Sequence, residues 1–214
     1  MGKDLQGRKK QARLILKKLS PLYAKDPIEV HYETPFQLVV AVILSAQSTD
    51  KTVNQVTKEF FPQFREPKDF LKLTEKEFQK KIRPAGFFRH KAKNILGSAK
   101  LIVENHRGKI PKTMAELVKL PGFGRKSANV ILHELYGIAE GVCVDTHVLR
   151  LSKRLGLSQE GSPVKVEQDL MALAPRPDWK DISHFLVLHG RRVCFARKPN
   201  CRACVLNKIC PSRM

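Results

Sequence analysis

No stretch of this 214-residue chain is long and apolar enough to cross a bilayer; the longest unbroken apolar run is LVVAVIL, Leu38 to Leu44. The opening MGKDLQGRKK has no apolar segment of the signal-peptide kind, and Gln6 stands where the myristoylation pattern needs Ser or Thr. Sustained apolar–polar alternation with hairpin turns is missing, so nothing calls for β-strands. Internal repeats, low-complexity segments and flexible linkers are missing too. Acidic residues are scarce: 20 Asp and Glu face 40 Lys and Arg, a formal net charge of +20. Together these absences predict a soluble intracellular protein, of the cytoplasm or nucleoid in a prokaryote, with no membrane attachment. The positive charge runs through a foldable chain (42% hydrophobic) instead of sitting in a tail. Nucleic acid therefore accounts for it better than an acidic membrane or a solubility device.

What is present is helical punctuation. Leu14, Ile15 and Leu19 share one face of RKKQARLILKKL, with lysines around the rest. Thr34-Pro35-Phe36-Gln37 combines a capping Thr, a proline at the first helical position and a Gln able to close a capping box. The run to Leu44 is apolar on nearly all sides and predicts a central helix. Thr74 with Glu77, and Thr113 with Glu116, repeat the capping-box spacing. Ser162-Pro163 starts a further helix, and Gly156 ends the one before it. The weakest join is YGIAEG, Tyr136 to Gly141. The fold class is all-α.

LPGFGRKSAN, Leu120 to Asn129, sets a puzzle. Arg125 and Lys126 stand side by side at the start of a helix, where the dipole disfavours positive charge. The preceding PGFG stops one helix at Pro121 and turns on Gly122 and Gly124 without side-chain obstruction. Such a turn presents backbone N–H groups beside a helix amino terminus. A phosphate bound there would offset the charge conflict. An ordinary helix-turn-helix corner would be preferred for PGxG alone; the flanking cations and the net charge favour the phosphate site.

Further on, Asp145 in VDTHVLRL precedes a helical pattern, so by itself it reads as an N-cap. Lys126 by itself reads as a phosphate binder. Five cysteines are present, and four of them are spaced Cys194-x6-Cys201-x2-Cys204-x5-Cys210. In an intracellular chain, clustered thiols favour a metal site over disulfides. Four thiolates suit zinc or iron–sulfur; only the middle spacing is short, whereas zinc modules pair ligands at two short spacings, so the pattern leans to iron–sulfur. Cys143 lies apart and reads as a packed core residue.

LPGFGRKSAN resembles the helix-hairpin-helix of DNA glycosylases. With VDTH, FQLVVAVILSAQSTD and HGRRVCFARKPNCRACVLNKIC, nearly the whole chain is similar to the endonuclease III family of base-excision enzymes. The resemblance implies catalytic roles for Lys126 and Asp145 and a [4Fe–4S] cluster on Cys194, Cys201, Cys204 and Cys210. It implies DNA contacts from Gln47, Phe87, Gly122, Gly124, Arg125 and Lys198. Gln47 and Phe87 match the residues that fill the hole left by an extruded base; Phe88 is a competitor for the second role, and an aromatic is a departure where relatives often carry an aliphatic. Asp50 and His147 also match positions near the family's site.

The activity so implied is a bifunctional DNA glycosylase and abasic-site lyase, a monomer working on duplex DNA with damaged pyrimidines or abasic sites. Its nucleophile would be the Lys126 amine. A free lysine has a pKa of about 10.4 and must move toward about 7–8 to attack; Arg125, the helix amino end and partial burial would push that way. The implied architecture is two helical lobes with a DNA-binding cleft between. One lobe is residues 25–141 with the hairpin; the other joins 1–24 to 142–214 and carries the cluster loop, 194–210. The competing readings are a mismatch glycosylase acting on thymine, uracil or adenine, and a non-catalytic helix-hairpin-helix DNA-binding protein. Adenine-acting relatives lack a lysine just after the hairpin, so Lys126 opposes that branch.

Overall fold

The computed structural model describes residues 2–214, and among them the secondary structure is helical, with no strand. The helices are α1 (Gly2–Tyr23), α2 (Pro35–Leu44), α3 (Asp50–Lys58), α4 (Pro67–Phe70), α5 (Glu75–Ile82) and α6 (Phe88–His106). They continue with α7 (Met114–Leu117), α8 (Arg125–Tyr136), α9 (Thr146–Arg154), α10 (Pro163–Leu173) and α11 (Trp179–Arg192). The all-α expectation therefore holds. The chain divides into two compact units. One is Ile28–Ile138; the other joins the chain up to Pro27 with Ala139–Met214.

The Ile28–Ile138 unit holds α2 to α8. Four of these helices begin on a threonine whose hydroxyl accepts a backbone N–H: Thr34, Thr49, Thr74 and Thr113. Thr34–Gln37 and Thr74–Glu77 form complete capping boxes, as their spacing predicts. At Thr113 the hydroxyl instead donates to the Glu116 carboxylate at 2.6 Å while accepting the Glu116 N–H.

Helix α2 is buried at Phe36 to Ala41, Ile43 and Leu44, as an apolar run with no polar side must be. Gln37 does more than cap. Fully buried, it accepts from the N–H groups of Glu33 (2.8 Å) and Thr34 (3.3 Å) and donates to the carbonyls of Phe61 (2.8 Å) and Phe64 (3.2 Å). All four hydrogen-bonding positions of the amide are thus used, which is what makes its burial tolerable. The turn it secures delivers Phe60 into the core. Phe60 meets Phe61, Phe70 and Phe78 edge-on, with ring centroids 5.1, 6.2 and 5.7 Å away. Such edge contacts add about 0.5–1.5 kcal/mol each beyond buried area.

The other unit packs α1 on α10 and α11, and α9 on α10 and α11. The buried stripe of α1 is Ala12, Ile15, Leu19 and Tyr23, spaced three and four residues apart; Leu14 is only partly buried. Gln11 ties this helix to the C-terminal segment, donating to the carbonyls of Leu155 (3.3 Å) and Ile209 (2.8 Å). Pro163 starts α10 as predicted, but Ser162 contributes no capping hydrogen bond from its side chain. Gly156, at φ +70°, follows the end of α9. Cys143 is buried, as its isolation from the other cysteines suggests.

Replacing Phe60 by Ala should destabilise the protein by about 3–5 kcal/mol through a cavity the surrounding rings cannot close. In urea titration the midpoint should fall with little change in slope; an unchanged midpoint would show that this aromatic cluster is not what holds the unit.

Candidate active site and cysteine loop

The hairpin is built as its glycines require. Pro121 ends the first arm, and its carbonyl accepts from Ser98 of α6 at 3.0 Å. Gly122 follows at φ +81°, and a Cβ there would lie 2.8 Å from the Asn94 side-chain nitrogen. Phe123 turns inward and is buried. Gly124 is the N-cap of α8 in extended conformation, φ −110°. It has no side chain, so the cap supplies no acceptor to the first amides of α8, in contrast to the threonine-capped helices of the same unit. Ala128, Ile131 and Leu132 bury the inner face of α8. Lys126, Arg125 and Gly124 are exposed. The partial burial expected for Lys126 is not found, because the second position of α8 points away from that inner stripe.

Two more residues singled out from sequence sit on unusual backbone in the same unit. Gln47 (φ +53°) and Phe87 (φ +43°) are left-handed although neither is glycine. Phe87 is 63% exposed. Its neighbour Phe88 is half-buried and packs on the core of the unit. The left-handed turn at Phe87 separates the two rings, one outward and one inward.

In the other unit, Asp145 caps α9. One oxygen, Oδ1, accepts the N–H groups of His147 and Val148, both at 2.8 Å. That fixes the carboxylate against the positive end of the helix and is worth about 1 kcal/mol in capping. His147 follows on the first turn and is partly buried. Helix α11 comes close here because Gly190 has no side chain: a Cβ would lie 3.0 Å from the His147 Cβ. Asp50 is the first residue of α3, in the hairpin-bearing unit.

The cysteine loop hangs on α9 and α11. Cys194, Cys201, Cys204 and Cys210 line one cavity with Arg154 and His189. Arg154 donates to the Cys194 sulfur at 3.3 Å and to the carbonyls of Phe195 (2.7 Å) and Ala196 (2.9 Å). Arg150, one turn earlier, donates to the carbonyls of Gly190 and Cys194, both at 3.0 Å. The loop beyond carries exposed Arg197 and Lys198, the latter at φ +52°. His189 bridges Tyr23 Oη (3.1 Å, at Nδ1) and the Cys204 sulfur (3.2 Å, at Nε2). Burial pushes the His189 pKa down to about 4, so its ring is neutral at neutral pH, with one nitrogen donating and the other accepting. Burial also pushes the Cys204 and Cys210 thiols up. Among the described residues no three Cys, His, Asp or Glu side chains are gathered tightly enough to hold a single metal ion.

Against this geometry, residues 40–176 match the family model of the HhH-GPD superfamily of base excision DNA repair proteins. The endonuclease III of Synechocystis sp. is 46% identical over 210 residues, covering 98% of this chain and 96% of its own. The chain belongs to the endonuclease III family. A solved non-covalent endonuclease III–DNA complex superposes with a TM-score of 0.89 at 38% identity, covering 95% of each chain. A trapped endonuclease III–DNA covalent intermediate gives 0.88 at 38% identity, covering 95% of this chain and 96% of that one.

Sequence reading of this family member passed over Lys91, Arg150, Arg154, His189 and Tyr23. Arg150 and Arg154, four apart on α9, carry the helical signature of a shared face, but nothing in the spacing names the cysteine loop as their target. Lys91 was hidden among 40 basic residues.

The two hairpin glycines should respond differently to alanine. Gly122→Ala forces a left-handed non-glycine and a clash with Asn94, and should cost about 1–3 kcal/mol of stability. Gly124→Ala, with open space around its Cβ position, should cost less than about 1 kcal/mol. Thermal unfolding of the two variants measures this, and equal losses would contradict the geometry.

Proposed function

We propose that this endonuclease III family member excises oxidised or otherwise damaged pyrimidines from duplex DNA and then cuts the strand at the abasic site. The observation that carries the reading is Lys126 at the second position of a helix whose amino end is capped by glycine alone. A DNA phosphate held by the hairpin amides would neutralise the field that two adjacent cations create there. Gln47 and Phe87 fill the space vacated by the extruded base, with Phe87 the wedge because it is the outward ring of its pair. Gly122, Gly124, Arg125 and Lys198 contact the backbone of the duplex. The protein acts as a monomer.

The chemistry assigned to the chain's own residues is covalent catalysis. The Lys126 amine, once it has given up its proton, attacks C1′ of the sugar, and the bond to the base breaks with its electron pair leaving on the base. Asp145, held by its two amides, accepts the proton released from the lysine and stabilises positive charge on the opening sugar. The C1′–nitrogen adduct becomes a Schiff base as the C1′–O4′ bond breaks, its electron pair going to O4′, which takes up a proton. Loss of a proton from C2′ then expels the 3′ phosphate, which is β-elimination, and water releases the lysine. The relative solved as a trapped covalent intermediate with DNA supports this reading.

The four cysteines would hold a [4Fe–4S] cluster. The donor set fits: in such a cluster each thiolate binds a different iron, so the sulfurs need to share one cavity without converging on one ion. Arg154 sets an N–H group against the Cys194 sulfur, and the His189 ring lies against the Cys204 sulfur. When bound, the cluster serves to staple the C-terminal loop and present Arg197 and Lys198.

Two measurements test the reading. Incubation with abasic-site duplex and borohydride should trap a protein–DNA adduct from the wild type, and Lys126→Ala should abolish it; no wild-type adduct would end the lyase assignment. Purified protein should be brown, with visible absorption and bound iron, and Cys204→Ala should lose both. A colourless protein with stoichiometric zinc would overturn the cluster.

A further inference from the structure

Lys91 is a buried cation that no step above uses. It lies on the first turn of α6 and is 4% exposed. Its Nζ donates three hydrogen bonds, each 2.8 Å long: to the Leu44 carbonyl, the Ser48 hydroxyl and the Ala85 carbonyl. An ammonium has three N–H donors, and all three are spent. Burial pulls the Lys91 pKa downward, and the three oxygens are what make its charge tolerable there.

The acceptors are informative by position. Leu44 ends α2, and Ser48 is the residue after Gln47. Ala85 ends the short turn two residues before Phe87. Ser48 Oγ also donates to the Ala85 carbonyl, so the two loops are joined directly as well as through the ammonium. Each loop contains one left-handed non-glycine residue, and in each that residue is exposed. Such backbone persists only where its surroundings over-determine it. One buried amine therefore anchors both strained loops at once.

We infer that Lys91 is a positioning residue that fixes the spacing between Gln47 and Phe87, so that both enter one duplex at a single lesion. Lys91 itself touches no DNA. This rests on the reading of Gln47 and Phe87 as the residues that replace an extruded base. Loosening either loop should spare phosphate contacts while removing the preference for a duplex that already has a gap to fill.

The test is the ratio of affinities for two duplexes at fixed salt, one with a tetrahydrofuran abasic analogue and one undamaged. Gln47→Ala and Phe87→Ala should each lower the ratio. Lys91→Met, similar in length and without donors, should lower it by about 10-fold or more. Binding of undamaged duplex should change less than about 2-fold, since backbone contacts are untouched. Added to the Gln47→Ala/Phe87→Ala double variant, Lys91→Met should have no further effect, because there is then nothing to position. A folded Lys91→Met with an unchanged ratio overturns the inference, as does a loss that adds in full to the double variant. If Lys91→Met fails to fold, Ser48→Ala decides: a smaller loss of the ratio supports the inference, and no loss overturns it. If Gln47→Ala and Phe87→Ala leave the ratio unchanged with Lys91 intact, the gap-filling reading itself has failed and this inference falls with it.

Discussion

The arrangement hinges on a helix end whose capping residue has no side chain. Threonine hydroxyls cap α2, α3, α5 and α7, whereas α8 starts on Gly124 and at once adds Arg125 and Lys126. Positive side chains at the positive pole of a helix raise its energy until an anion arrives. The same absence of side chain lets a backbone as bulky as that of DNA come close. Under the proposed function, a phosphate bound there would recover the stability given up at this position and would leave base identity to other parts of the surface.

Much of this was legible from residues alone. Threonine with Glu or Gln three positions later marked the starts of α2 and α5, and proline after the threonine marked α2 as well, because capping is a local matter. The hairpin turn was legible at Gly122, whose φ of +81° favours glycine for a local reason. The spacing of the four cysteines predicts that they gather, and they line one cavity. Lys126 was placed on the right helix but expected to be partly buried; burial depends on which way a helix turns its second residue, and that is fixed by packing of Ala128, Ile131 and Leu132.

Residues that act across long sequence separations stayed hidden. Lys91 reaches Leu44, 47 positions away, and nothing local distinguishes it from an exposed lysine. Gln37 advertised its capping role and concealed its second one, on the carbonyls of Phe61 and Phe64. Arg150 and Arg154 share a helix face, but spacing alone does not name a target for them. They hold the loop that carries Cys194, with the Arg150 guanidinium partly desolvated to do so. A buried polar group is defined by its partners, and partners are a property of topology.

The unit formed by the two ends of the chain has a temporal side. Gln11 leaves the ribosome early, yet the Ile209 carbonyl it binds is made 198 residues later. Helix α1 must therefore wait with its Ala12–Ile15–Leu19–Tyr23 stripe uncovered while the contiguous Ile28–Ile138 stretch gathers its own core. A chain that lacked α11 would strand that stripe, because α10 and α11 are the helices on which α1 packs.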